Sequence, residues 1–401
     1  MFPEIELLNN LVSRIFHIDD LTTGDPQKGS LVRYRGHLLL EDSAAAYDQL
    51  AESLKPYNIT PLFRMEKEQQ IVYLTPGKPA PKPTRVSVNI ILFILTVLSV
   101  MLAGAQPEGA LPNDFPGQML ALAKSILTGW PFAVSLMGIL LAHELGHYFM
   151  SRHHQTAATL PYFIPFPFSP LGTMGAAILM QGTPRNKRVL FDIGVAGPLA
   201  GMVLAIPILF YGMSISKLGI NVAPPAGMVL YEQGDSILYL LAKYLAFGKL
   251  LPVPVSTQGL SLGLYWLRYF FTGQPSPMGA LDVNLGLSPI AFAGWAGLLV
   301  TALNLIPAGT LDGGHVVYSV FGEKAGKAFF FIFAALILLG FSWNGWLIWA
   351  VILLWLGRVH AEPLDQITQL DPKRRWVAAL MILIFILTFT PVPFFVISTG
   401  L

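Results

Sequence analysis

The sequence predicts a polytopic α-helical membrane protein of about seven spans, with a re-entrant β-hairpin-like segment and a small soluble α+β domain at the N-terminus. Composition is the first reason: of 401 residues 54% are hydrophobic and only 12% charged, against roughly 25% charged in soluble domains. The mean hydropathy is +0.58. The second is that apolar runs of near membrane length recur beyond residue 85. The third is that residues 1–77 have the mixed patterning of a soluble unit.

Within residues 1–77, SLVRYRGHLLL reads as a strand, and Ala44, Tyr47, Ala51 and Leu54 recur at helical spacing behind a capping residue, Asp42. ITPLFRMEK and QQIVYLTP predict a hairpin. PGKPAPKPTR, Pro76 to Arg85, is a Pro- and Lys-rich linker. The expected organisation is therefore a domain over 1–77, a linker over 78–85 and a membrane unit over 86–401, with its core at about 130–320. MFPEIELLNN has neither a basic n-region nor an apolar h-region, so the first span is expected to direct insertion.

Spans are expected at about 86–104, 131–151, 189–213, 289–309, 326–341, 345–357 and 376–397. The fifth and sixth are short enough to form one hairpin turning at Ser342-Trp343-Asn344-Gly345. Lys78, Lys82, Arg85, Arg152, Arg185, Lys187, Arg188, Lys324, Lys327, Arg358, Lys373, Arg374 and Arg375 all fall on one side of this arrangement, which the positive-inside rule assigns to the cytoplasm. Residues 160–182 are apolar but carry Pro161, Pro165, Pro167 and Pro170, which rules out a regular helix. An extended hairpin at membrane depth must be buried in protein or line a wet cavity. Between 214 and 288, DSILYLLAKYLAFGKLL and LSLGLYWLRYFF predict helices lying in the outer interface.

With no cysteine, disulfides, thiolate nucleophiles and Cys-ligated metals are excluded, so a metal must use His, Asp or Glu. The balance of 25 Lys and Arg against 23 Asp and Glu gives no pull toward nucleic acid, and none is expected as a partner.

Inside the second span, LLAHELGHYF carries His143, Glu144 and His147 as H-E-x-x-H. Histidines at i and i+4 share a helix face and can reach one Zn²⁺, while Glu144 beside them can take a proton from a water activated by the metal. Unliganded, these side chains would be costly in hydrocarbon. Catalytic zinc takes three protein ligands, yet Leu145 to Phe191 contains no Asp or Glu. His153 has a ligand spacing seen in other zinc proteases, but without a Gly at Met150 the helix carries it elsewhere, toward the headgroups with Arg152 and His154. The remaining candidate is Asp312 in NLIPAGTLDGGHV, with Gly313-Gly314 permitting close backbone approach. Read alone, that segment is equally an Asp-Gly turn at a membrane edge. On the expected topology His143, His147 and Asp312 share one depth.

HELGH at 143–147, NLIPAGTLDGG at 304–314 and the intervening VAGPLAG at 195–201 closely resemble the site-2 protease family of intramembrane zinc metalloproteases, over about 130–320. The resemblance implies one Zn²⁺ per chain held by His143, His147 and Asp312, Glu144 as general base, and Asn304 as an oxyanion donor. It also implies that Gly172, Thr173, Met174 and Gly175 offer a strand edge to a membrane-anchored protein substrate within the lipid bilayer. Two of these positions keep a structural alternative: Asn304 as a helix-packing hydrogen bond, and GTMGAAI as a closely packed hairpin. The N-terminal unit, the spans after Asp312 and the lack of a PDZ-like insertion are similar to the ethylene-dependent gravitropism-deficient and yellow-green branch. That branch's Gly-Asn-Leu-Arg signature is only approximated by GSLVRYRG, Gly29 to Gly36. The expected activity is intramembrane endopeptidase, and the expected location is a prokaryotic plasma membrane with the site toward the cytoplasm. A zinc transporter is the main alternative, but it calls for internal repeats that the sequence does not display.

Overall fold

In the computed structural model, residues 3–25, 29–77, 84–107, 112, 114–221, 229–274, 279–356 and 362–398 are described. Residues 78–83 of the linker and Arg358, both used above, lie outside them.

The N-terminal unit comprises α1 (Ile5–Ser13), β1 (Phe16–Asp25), β2 (Ser30–Leu38), α2 (Ser43–Leu54), β3 (Ile59–Glu66) and β4 (Gln69–Pro76). Two hairpins join through β2 and β4 into an antiparallel sheet of order β1-β2-β4-β3. Asp42 caps α2 by accepting from the Ala44 amide. Tyr47, Leu50 and Leu54 of α2 pack with Tyr34, Phe63 and Val72 of the sheet. The sequence signals missed α1 and β1. FHIDDLTTGD has little β-propensity, and it succeeds as an edge strand, interrupted by a bulge between Ile18 and Asp20, because β2 supplies its pairing.

The membrane unit runs through α3 (Val86–Ala103), α4 (Phe115–Lys124), α5 (Trp130–His153), β5 (Tyr162–Pro165), β6 (Thr173–Ala177) and α6 (Lys187–Ser214). It continues with β7 (Gly219–Ile220), β8 (Val229–Gln233), α7 (Ile237–Phe247), α8 (Leu262–Thr272), β9 (Leu281–Asp282), α9 (Pro289–Asn304) and α10 (Asp312–Phe321). It ends with α11 (Ala325–Leu339), α12 (Gly345–Leu356), α13 (Pro372–Thr388) and β10 (Phe394–Ser398). Helices α3, α5, α6 and α9 enclose the main apolar core, which includes Val100, Leu136, Leu209 and Trp295.

Apolar helices occur at all seven expected places, but among the described residues only three are long and apolar enough to cross a membrane: Val86–Ala103, Ile126–His153 and Lys187–Ser214. The other four have 16, 15, 12 and 17 residues. A 16-residue helix is about 24 Å long, short of the roughly 30 Å hydrocarbon core. Seven full crossings are therefore not what the helix lengths give. For α9 the reason is local: the chain leaves the helix at Asn304 so that Asp312 can start α10 close to the same depth. Helices α11 and α12 do pack as one hairpin around residues 340–344.

The Pro-rich segment is the expected extended hairpin, β5 antiparallel to β6. Polar groups of α3 pin it: Asn89 donates to the Leu160 and Pro161 carbonyls, and Ser99 Oγ to the Gly172 carbonyl at 2.6 Å.

A strap between α12 and α13 joins the two units. The Phe63 amide donates to the Leu364 carbonyl and the Gln366 amide to the Phe63 carbonyl, while Leu364 and Asp365 donate to the Pro184 and Arg185 carbonyls. Asp365, fully buried, accepts from Ser43 Oγ, Thr368 Oγ1 and the Ile367 and Thr368 amides. Replacing Asp365 with Ala leaves these donors without a charged acceptor and is expected to weaken the joint by about 2–4 kcal/mol. Hydrogen exchange at the Phe63 and Gln366 amides reads this directly, and unchanged exchange would remove the strap from its joining role.

On the opposite side, α7 and α8 lie with the β8–β10 and β7–β9 pairs. Lys243, within the segment expected to lie in the outer interface, is fully buried there. Its ammonium stands 2.9 Å from Asp235 and 3.2 Å from Asp282. Glu232, also buried, accepts from Asn221 Nδ2. Burial, reinforced by the Asp282 charge, raises Glu232 to about 7. A carboxyl that binds its proton more tightly when folded stabilises the fold below its unfolded value, about 4.5, and that contribution is lost as pH rises to about 7. Melting temperature should therefore fall over this window, by the equivalent of at most about 3 kcal/mol. Glu232→Gln should flatten the profile; an unchanged slope in that variant would assign it elsewhere.

Candidate metal centre

Helix α5 puts His143 and His147 on one face, their rings 4.9 Å apart between centroids. Both are buried, as is Glu144 between them in sequence. The facing surface is α6, and it is made of small residues. A Cβ at Gly197 would stand 2.0 Å from His147 Nε2, and one at Gly146 would stand 2.5 Å from the Ala196 carbonyl. Only glycine at these positions lets the helices close until the imidazoles fill the gap. The Ile193 carbonyl accepts from His147 Nδ1 at 2.7 Å, which fixes the tautomer that leaves Nε2 free to ligate.

Asp312 arrives from the far end of the sequence as the first residue of α10. Its approach depends on the adjoining glycines: a Cβ at Gly313 would lie 2.1 Å from the Leu305 carbonyl, and one at Gly314 would lie 2.3 Å from that of Gly309. Gly309 itself has φ +56°, the left-handed conformation that reverses the chain.

The two imidazole nitrogens and the carboxylate of Asp312 converge as a result. His143 Nε2 is 3.2 Å from Asp312 Oδ2, His147 Nε2 is 3.3 Å from Asp312 Oδ1, and the two Nε2 atoms are 3.2 Å apart. Ligands at about 2.0–2.1 Å around a tetrahedral zinc lie about 3.3 Å from one another. Donor types and spacing therefore both fit one Zn²⁺, and among the described residues this is the group suited to hold a metal ion. The expected trio is brought together by geometry that the sequence displays only in part: Gly197 and Gly201 stand within VAGPLAG, but the Ile193 carbonyl carries no chemical signature of its own.

Glu144 has one carboxylate oxygen, Oε2, that is buried and without a hydrogen-bond partner. Ile178, just beyond β6, has its backbone close to the same carboxylate. Asn304, at the end of α9, brings Nδ2 to 3.2 Å from His143 Nε2. Of the four hairpin residues, Gly172 and Thr173 are buried. Gly172 packs so tightly on α3 that a Cβ would meet the Ser99 carbonyl at 2.6 Å. Thr173 Oγ1 donates to the Ile164 carbonyl and accepts from the Gly175 amide. Met174 is exposed and Gly175 has open space around it. Among the described residues, β6 pairs with β5 on one edge and with no strand on the other.

His153 is exposed at the end of α5, outside the metal group. His154 departs from the headgroup contact expected for it. It meets Asp192 at 3.0 Å, and Asp192 also receives Arg374 at 2.6 Å, a network that ties α5, α6 and α13 together. The acid at 192 lies 38 residues away in sequence, which hid the pairing.

The model of peptidase family M50 matches residues 131–341, more than half of the chain. The chain is 30% identical over 323 residues to a protein of Oryza sativa subsp. japonica named "Probable zinc metalloprotease EGY1, chloroplastic", covering 76% of this chain and 50% of the relative. It is 28% identical over 327 residues to the protein of that name in Arabidopsis thaliana, covering 76% and 53%. "Probable zinc metalloprotease EGY2, chloroplastic" of Oryza sativa subsp. indica is 23% identical over 398 residues, covering 96% and 66%. The chain thus spans about half the length of the EGY1 relatives. All three are chloroplastic by name, and the prokaryotic plasma membrane expected from the sequence finds no support among them. With the family match extending over the helices that bring His143, His147 and Asp312 together, this chain belongs to peptidase family M50, the site-2 protease family.

Proposed function

We propose that this chain is a zinc-dependent intramembrane endopeptidase that hydrolyses a peptide bond in or near a transmembrane segment of a membrane-anchored protein. The observation that carries the reading is the buried, partnerless Glu144 oxygen beside two imidazole nitrogens and a carboxylate that approach one another to 3.2–3.3 Å. His143, His147 and Asp312 would hold the ion. When bound, zinc lowers the pKa of water toward neutrality and polarises a peptide carbonyl.

The chain's own groups do the rest. Glu144 takes the proton from the attacking water and passes it to the departing amine. Asn304 Nδ2, aimed at the same cluster, donates to the oxygen that gains charge as the carbonyl is attacked. A peptide bond in a helix has its carbonyl already hydrogen-bonded, so a substrate segment must unwind before attack. The open edge of β6 from Met174 to Ala177 can pair with that unwound segment and satisfy its backbone groups at membrane depth. Gly172 and Thr173 support this edge through packing and hydrogen bonds, and contact with substrate falls to Met174 and Gly175.

Purified chain in liposomes with a reporter bearing one transmembrane segment tests the reading. Glu144→Gln is expected to retain zinc and to cut at least about 100-fold more slowly. Zinc binding with no cleavage by wild type, accompanied by zinc flux, would move the assignment to transport. A second test addresses the helix contact. Gly197→Ala places a Cβ where His147 Nε2 lies and should lose most of the bound zinc, whereas Gly138→Ala, whose Cβ meets nothing within 4 Å, should retain it. Equal zinc contents in the two variants would argue against the ligand geometry described.

A further inference from the structure

Where the N-terminal unit meets the membrane unit there is a cleft of about 680 Å³, within the range of small-ligand sites. Its walls are the β3–β4 turn, the start of α6, the last turns of α10 and the strap before α13. Four basic residues line it, Lys67, Lys187, Lys324 and Arg375, against two acids, Glu68 and Glu323.

The pairing of charges around the cleft is uneven. Four nearby arginines have a carboxylate: Arg64 pairs with Glu362, Arg185 with Asp48, Arg188 with Asp42, and Arg374 with Asp192 and Asp371. The four that line the cleft make no ion pair among the described residues. Two backbone features hold them there. Lys67 and Glu68 form the β3–β4 turn with φ of 45° and 69°, left-handed conformations that ordinarily favour Gly or Asn and cost a Lys or Glu free energy. Gly322, φ +61°, lies where a Cβ would come within 3.3 Å of Lys187 Nζ, so that ammonium sits against the end of α10. The partial negative charge of a helix C-terminus offsets only part of one positive charge.

We propose that this cleft binds a phosphate-bearing anion, either a lipid headgroup at the membrane surface or a small soluble phosphate ester. Lysine and arginine side chains without carboxylate partners are the chemistry that recognises phosphate oxygens. The volume exceeds what a single inorganic ion fills. Helix α10 runs from Asp312 to this cleft over 10 residues, about 15 Å, so the ligand would rest on the same helix that supplies the third metal ligand. The proposal is independent of the peptidase reading, since it concerns residues outside the metal centre.

The test is the melting temperature of the full chain in nanodiscs, with inorganic phosphate and AMP as soluble probes in phosphatidylcholine discs, and with phosphatidylglycerol added to the discs as the lipid probe. Saturable stabilisation by AMP or phosphate identifies a soluble ligand; stabilisation only in phosphatidylglycerol discs identifies a headgroup. Lys187→Ala and Lys324→Ala should each weaken the effect about tenfold, while Lys217→Ala, exposed on the opposite side, should leave it intact. Lys67→Ala, on an exposed turn, provides the same readout if Lys187→Ala does not fold. Absence of stabilisation by every probe, or equal responses in all variants, overturns the proposal.

Discussion

Two histidines and an aspartate held about 3.3 Å apart between apolar helices are the constraint on which the rest of the membrane unit depends. Without a cation the cluster would bury polar groups with no adequate partner, and with one it requires two helices and a distant turn to meet within a few tenths of an ångström. The α5–α6 contact meets this through glycines: Gly146 and Gly197 have no room for a Cβ, so helix separation at that level is set by the imidazole rings. The stop of α9 at Asn304 and the Gly313–Gly314 pair follow from the same demand, because a continuous helix would carry Asp312 past the histidines.

The extended hairpin is the second consequence. A sheet edge at membrane depth is costly unless its backbone groups are satisfied, and α3 satisfies those facing it through Asn89 and Ser99. The groups left over lie along β6, next to Glu144. The unsatisfied edge and the unpartnered carboxylate oxygen are therefore neighbours, with Ile178 close to the carboxylate.

At the two ends of the helices, charge is managed by different means. On the N-terminal side, the ion pair of Arg374 with Asp192 ties α13 to α6, and the hydrogen bonds around Asp365 tie the strap to α2 of the N-terminal unit. On the opposite side, Lys243 is enclosed with Asp235 and Asp282, and Glu232 lies close by. Neither arrangement follows from local pattern alone, since each includes a partner tens to hundreds of positions away.

The sequence by itself determined the identities that chemistry demands. H-E-x-x-H on a helix needs only the 3.6-residue period to place His143 and His147 together, and the scarcity of acids near the apolar runs pointed to Asp312. Prolines at 161, 165, 167 and 170 sufficed to exclude a helix, and the capping role of Asp42 was legible from local spacing. What only the tertiary structure decided depends on distances between separate elements. The 3.2–3.3 Å convergence of ligands, the inward packing of Gly172 and Thr173, and the capture of His154 by Asp192 are of this kind. So are the spanning lengths of the helices and the strand β1, whose weak local propensity is overridden by its partner β2. Local periodicity encodes which face a side chain takes; the depth at which a helix stops and the partner that a buried charge meets are set by packing across the whole chain.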